Sequence, residues 1–281
     1  RTFNMCPDAL EATLARVTKT EDARRRLKAI LPVHTFGQTA DMTRLLAIAE
    51  PATATIQETA TPDKEPRFVD FADASGLHRR HVETPYDDYA SQPLAPHRHS
   101  QLGPGLAFGD VDGDGHDDVF VGGARGQGGA LHLVRDTGYV RMGGPWERDG
   151  VHEDLGAVFL DLDLDGDLDL FVVSGSNEAK PGDASFRDRA YLNRGNGEFD
   201  AAPDELAPAF ADSGSVAAAA DWDRDGDLDL FVGGRVVPGR YPESPISRLY
   251  RNDGGKLVDV IETAIPSLRL AGLVTGALWS D

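Results

Sequence analysis

The sequence predicts an all-β fold, an array of four-stranded antiparallel units, and three observations carry that prediction. Nine-residue acidic windows recur at residues 110–118, 161–169 and 221–229, and their first aspartates, Asp110, Asp161 and Asp221, are spaced 51 and 60 apart. Each window stands between two short β-compatible runs: GLAFG and Val119-Phe120-Val121, GAVFL and Leu170-Phe171-Val172-Val173, VAAAA and Leu230-Phe231-Val232. Further along each unit comes a hairpin signal, ALHLVRDTGYV, AYLNRGNGEF or RLYRNDGGKL. Its turn (Asp136-Thr137-Gly138, Gly195-Asn196-Gly197 or Asp253-Gly254-Gly255) is rich in residues that tolerate positive φ. Strand, acidic loop, strand, longer connection and hairpin, repeated at this period, make each unit a propeller blade.

Taken in chain order, the first element is helical. Asp8 and Glu11 form a capping-box signature, and Leu10, Leu14, Val17, Leu27, Ile30 and Leu31 recur at helical spacing before Pro32. Thr39 caps a second stretch through Met42, Leu45, Leu46 and Ile48, ended by Pro51. This short N-terminal segment, residues 1–50, carries no catalytic constellation and reads as a packing or inter-domain element. Residues 51–66 (PATATIQETATPDKEP) read as a linker. The repeats fill residues 67–281. The final hexapeptide, GALWSD, places Gly276 five residues before Asp281, as Gly105 stands before Asp110 and Gly156 before Asp161. Asp281 also falls 60 residues after Asp221, and so reads as the first ligand of a fourth loop. The chain is therefore expected to be a fragment, with about three and a half blades where propellers close with four to eight.

The charge is concentrated in the same windows. The chain has 47 acidic against 28 basic residues, a net charge of −19, and the three windows hold 15 of the acids and one base, Arg224. Outside them the balance is 32 acids to 27 bases, or −5, so the excess belongs to three short loops rather than to a solvated surface or an acidic tail. Such a charge argues against nucleic acid as a partner, because phosphate binding needs clustered Lys and Arg. No apolar run approaches the roughly 18 residues that span a bilayer. The single cysteine, Cys6, excludes an internal disulfide framework and a Cys-rich zinc site.

Each window fits D-x-D-x-D-G-x-x-D. Oxygens at positions 1, 3 and 5, a backbone carbonyl at 7 and a carboxylate at 9 can wrap one hard cation, with Gly115, Gly166 and Gly226 at the sharp turn of position 6. Ca²⁺ accepts six to eight oxygens in flexible geometry, whereas Mg²⁺ resists shedding water, so Ca²⁺ fits better. An EF-hand needs a bidentate Glu at position 12, where this chain has Val121, Val172 and Val232. A single Asp-rich turn is often only a polar turn, but three in register, each crowding carboxylates that repel, point to cation binding. The side chains of Asp117, Asp167 and Asp227 are expected to face solvent or a second layer around the ion. Asp117, where the other loops have Leu168 and Leu228, is expected to leave the first loop more loosely packed.

The segments GLAFGDVDGDGHDDVFVGG, GAVFLDLDLDGDLDLFVVSG and AAAADWDRDGDLDLFVGGR resemble FG-GAP/VCBS repeats of integrin-α-type β-propellers. FVDFADASGL, PLAPHRHSQLGPGLAFGD and GGRVVPGRYPESPISRLYRNDGG resemble, more narrowly, the ASPIC/UnbV, cartilage-acidic-protein-like group. The resemblance implies a seven-bladed propeller with Ca²⁺ loops between the first two strands of several blades, in secreted or surface-exposed proteins of adhesion or ligand binding. Carried over by position, the implied ligands are Asp110, Asp112, Asp114 and Asp118, then Asp161, Asp163, Asp165 and Asp169, then Asp221, Asp223, Asp225 and Asp229. The carbonyls of His116, Asp167 and Asp227 complete the three sets, and a fourth is truncated at Asp281.

Other chemistry is thin. His97-Arg98-His99 places two imidazoles on one side of an extended segment, but without a third ligand it reads as a solvated loop, as do His78 and His81 around Arg79-Arg80. Trp222 and Trp279 stand where blades begin and read as packing residues. Trp146, in a Gly-Gly-Pro-Trp loop, is the one candidate for stacking on a sugar. Nucleophile elbow, Walker loop and dinucleotide fingerprint are all missing, and carboxylates committed to Ca²⁺ make poor general acids. The sequence thus points to a non-catalytic, calcium-binding propeller for extracellular recognition or adhesion, with a protein or glycan ligand. The alternatives are the calcium-stabilised scaffold of a polysaccharide-active enzyme and a structural spacer of a large surface protein.

Overall fold

A computed structural model describes residues 70–280 apart from 208. The helical segment expected over 1–50, the linker over 51–66 and Asp281 lie outside the described residues. The chain divides into two units, Arg1–Val69 and Asp70–Asp281, and the architecture below is that of the second.

Strands form where β-branched and aromatic residues cluster, and turns where glycines take positive φ. Four strands make the first sheet, β1 (Leu106–Gly109), β2 (Asp118–Val121), β3 (Ala130–Arg135) and β4 (Gly138–Met142). The second holds β5 (Asp154–Leu160), β6 (Asp169–Ser174), β7 (Arg189–Asn193) and β8 (Phe199–Ala201). The third holds β9 (Gly214–Ala220), β10 (Asp229–Gly234), β11 (Arg248–Asn252) and β12 (Leu257–Asp259). In each sheet the spatial order follows the chain order and every pairing is antiparallel. The described residues are thus mostly β, in three four-stranded antiparallel sheets, consistent with a propeller-like fold. Among them no helix is long and apolar enough to cross a membrane.

The second strand of each sheet is buried along its whole length, and its alternation explains how the sheets are held. Leu170 and Val172 of β6 share a core with Phe120, Leu131 and Trp146 of the first sheet and its connection. Phe171 and Val173, on the other face of β6, share a core with Leu230, Val232 and Tyr250 of the third. One strand thereby serves two hydrophobic interfaces, which is why its sequence is continuously apolar rather than alternating. Where successive first strands meet, side chains are excluded. A Cβ on Gly105 would lie 2.8 Å from the carbonyl carbon of Gly156, and one on Gly156 would lie 2.8 Å from the Ser215 carbonyl oxygen.

The outward face of the third sheet carries a smaller core of Phe231, Leu249 and Ile261, against which Trp222, Val274 and Trp279 pack. Trp279 Nε1 donates to the Ala218 carbonyl at 3.1 Å, so Trp222 and Trp279 are packing residues as expected. Trp146 is not the exposed stacking platform its loop suggests. It lies in a short 3₁₀ turn, Pro145–Arg148, is 1% exposed, and meets Phe120, Tyr191 and Phe199 edge-on at centroid distances of 5.5, 5.6 and 5.3 Å. The aromatic area that could have met a sugar is spent joining two sheets.

Candidate metal centre

Each acidic window is the connection between the first and second strands of its sheet, and all three close in the same register. The residue before position 1 pairs with the aspartate at position 9: Gly109 with Asp118, Leu160 with Asp169, Ala220 with Asp229. Inside that closure the backbone turns left-handed twice. Gly115, Gly166 and Gly226 have φ of 88°, 98° and 104°, as position 6 requires, and position 4 does the same with Gly113 (73°), Leu164 (66°) and Arg224 (68°). The second turn was not legible in the sequence, because only the first loop marks it with glycine.

The aspartates divide into distinct tasks. Position 1 draws the loop around itself: Asp110 accepts from the N–H groups of Gly113, Asp114 and Gly115, Asp161 from Gly166, and Asp221 from Asp225 and Gly226. At position 5, Asp114, Asp165 and Asp225 each accept the N–H of the residue two along at 3.0 Å. The aspartates at position 9 are fully buried and each accepts two backbone N–H groups. Asp118 takes Val111 and Val134, Asp169 takes Leu162 and Asn193, and Asp229 takes Trp222 and Asn252, all at 2.8–3.0 Å.

Carboxylate oxygens of Asp110, Asp112 and Asp118 lie within 4.8 Å of one another, as do those of Asp161, Asp163 and Asp169 and those of Asp221, Asp223 and Asp225. Nine of the implied side-chain ligands are thus gathered into three clusters, with position 5 replacing position 9 in the third. Asp112 Oδ1, Asp161 Oδ1 and Asp163 Oδ1 are buried with no hydrogen-bond partner among the described residues. Orphaned acceptors inside a ring of like charge are what a divalent cation would satisfy, so the residues fit the ion the loops imply. Burial, followed by the charge of neighbouring carboxylates, raises the pKa of Asp118, Asp163 and Asp223, and burial pushes Asp169 up to about 6.

The first loop differs from the others. Arg135 forms ion pairs with Asp112 and, at 3.0 Å, with Asp114, placing a guanidinium against two implied ligands, where the third loop has only the longer Arg251–Asp223 contact of 4.0 Å. His116 and Asp117 are exposed, whereas Asp167 and Asp227 are half-buried, and Asp227 accepts the Gly254 N–H at 3.3 Å. Asp117 thus faces solvent, while Asp167 and Asp227, for which solvent or a second layer around the ion was expected, are partly covered. Leu168 packs against the core between the first two sheets, a contact that the charged Asp117 cannot supply.

Two residues missed in the sequence tie the loops together. Asn193 Nδ2 donates to Val111 O at 2.7 Å in the first loop and to Leu168 O at 3.1 Å in the second. Asn252 Nδ2 donates to Leu162 O at 3.0 Å in the second loop, while its own N–H holds Asp229 of the third. Their Oδ1 atoms gather the hairpin-turn N–H groups of Gly195 and Gly197 and of Gly255 and Lys256. The only sequence signal was an asparagine two residues before the first turn glycine in the second and third units. In the first unit the equivalent residue, whose N–H bonds the position-9 aspartate, is Val134.

Sheets, hairpins and loops together are consistent with a propeller-type repeat protein. In agreement, residues 161–232, which contain the second and third loops entire, match the FG-GAP-like repeat family. Residues 1–61, outside the described part, match the DegT/DnrJ/EryC1/StrS aminotransferase family. Neither match covers half of the chain. No curated protein matches it.

Proposed function

We propose that this chain is a calcium-binding propeller module of the ASPIC/UnbV-like type, acting outside the cell or at its surface in recognition or adhesion of a protein or glycan, without catalysis of its own. The observation that carries the reading is the second loop, where Asp161 Oδ1 and Asp163 Oδ1 are buried without partners beside Asp169. The first loop would hold its ion through Asp110, Asp112 and Asp118, the second through Asp161, Asp163 and Asp169, and the third through Asp221, Asp223 and Asp225. When bound, calcium supplies two positive charges and an affinity for six to eight oxygens, and so turns like-charge repulsion into cohesion. The match to FG-GAP-like repeats supports a recognition module of propeller type, and the resemblance of the flanking segments supports the narrower grouping and a seven-bladed parent.

Ion binding to the folded chain alone raises stability by mass action. Extracellular calcium modules commonly bind in the range of about 10⁻⁴ to 10⁻³ M. Thermal melts should therefore shift upward in millimolar Ca²⁺ relative to chelator, and Asp163→Ala should shrink that shift. Superimposable melts in calcium and chelator would sink the reading. Reproducible release of product from any glycan or ester would remove its non-catalytic part.

A further inference from the structure

We propose that Arg235, His97 and His99 form a binding site for a carboxylate group, at the opposite end of the strands from the acidic loops. Arg235 directly follows β10, and the histidines lie on the segment leading to β1, so both come from the ends that the first-to-second-strand loops do not reach. Although 138 residues apart in sequence, Arg235 Nη2 lies 2.9 Å from His97 Nε2, and the His97 and His99 rings are 4.6 Å apart between centroids. The solvated loop expected for these histidines is found only in part: His97 is exposed, but His99 is fully buried.

Two features leave this cluster open to a ligand. Arg235 is 7% exposed, yet among the described residues it has no ion pair, and its guanidinium donates only to His97. His99 has both ring nitrogens buried without partners. A buried guanidinium left without a negative partner is costly, and so are orphaned ring nitrogens. The nearby Asp88 does not supply the charge. Its carboxylate is taken up by the His99 N–H, the Asn177 Nδ2 and the Ser100 hydroxyl, and so holds the histidine segment in place.

The chemistry selects the ligand. A metal ion would face the guanidinium's positive charge and have only two imidazoles. An anion would meet the unspent N–H groups of Arg235, with His97 at the open side and His99 behind. Burial and the Arg235 charge lower the pKa of both histidines, that of His99 to about 4, against the opposing charge of Asp88, so the cation of the site is the Arg235 guanidinium. That charge and the planar fork suit a monovalent carboxylate better than a dianionic phosphate. The site shares no residue with the acidic loops and does not rest on the calcium reading.

The test is a titration of the whole chain with acetate, glucuronate, sulfate and inorganic phosphate, followed through the histidine ring resonances by NMR. Acetate and glucuronate should shift His97 and His99 saturably, and Arg235→Gln should weaken the effect at least tenfold. If Arg235→Gln does not fold, His97→Gln at the exposed side must still weaken it. Asp163→Ala, at the far end, should leave it unchanged, which separates this site from the calcium loops. No saturable shift with either carboxylate, tighter binding of phosphate or sulfate, or undiminished binding in the folded variants would overturn the proposal.

Discussion

Leu164 and Arg224 hold a left-handed backbone that an L side chain pays for, while Gly113 holds it freely in the first loop. Leu164 is also 41% exposed, so its side chain returns little packing. Leu164→Gly should therefore raise stability by roughly 0.5 to 1 kcal/mol after the added freedom of the unfolded chain is subtracted, measurable by urea unfolding. Glu153 presents the opposite problem. It is 2% exposed, neither carboxylate oxygen makes a hydrogen bond of normal geometry among the described residues, and burial, only weakly opposed by Ser176 and the Leu102 backbone, raises its pKa from 4.5 to about 9. The folded chain keeps this proton while the unfolded chain releases it near 4.5, so the contribution is full below that value and is lost as pH rises toward about 9. Glu153→Gln should flatten the fall of stability between those limits, by at most about 1.4 kcal/mol per pH unit. Parallel slopes for the two proteins across that window would contradict the assignment.

At the scale of the strand, contact between backbones decides more than propensity. A Cβ on Gly156 would lie 2.8 Å from Ser215 O and 3.1 Å from Val216 Cα, neither of which can rotate away. Gly156→Ala should cost about 1 to 3 kcal/mol as the first strands are forced apart, whereas Gly276→Ala, which meets nothing within 4 Å, should be nearly neutral. A chemical-denaturation comparison of the two variants checks this. The strands, their hairpins and the position-6 turns were legible because each is written in contiguous residues: an apolar run, a turn glycine, a spaced set of aspartates. Trp146 was misread because Gly-Gly-Pro looks like an exposed loop, and only partners distant in sequence, Tyr191 and Phe199, reveal its burial. Position 4 was missed because leucine and arginine do not announce positive φ. Asn193 and Asn252 were missed because the partners that make them links between loops, Val111 and Leu162, lie in the preceding repeat.

For the whole molecule, sheets joined through shared cores make stability a property of neighbours. Phe171 is fully buried in the core between the second and third sheets, and Phe171→Ala should lower unfolding free energy by about 3 to 5 kcal/mol. The loss should be detected by probes placed in either sheet, and a transition confined to one of them would show that the interface does not transmit the damage.

The two asparagines make the row of loops a chain of contacts in which each loop can sense the state of the next. Asn193 holds Asp169 through its N–H while its amide grips the first loop, and Asn252 spans the second and third in the same way. An ion that orders one loop fixes an asparagine already bonded to its neighbour, so the second binding event begins with part of its ordering entropy spent. If the loops hold calcium as proposed, it should bind with positive cooperativity, giving a Hill coefficient above one. Asn252→Ala should detach the third loop from the pair and flatten the isotherm without removing a ligand. A hyperbolic isotherm in the parent chain would mean the loops act as strangers.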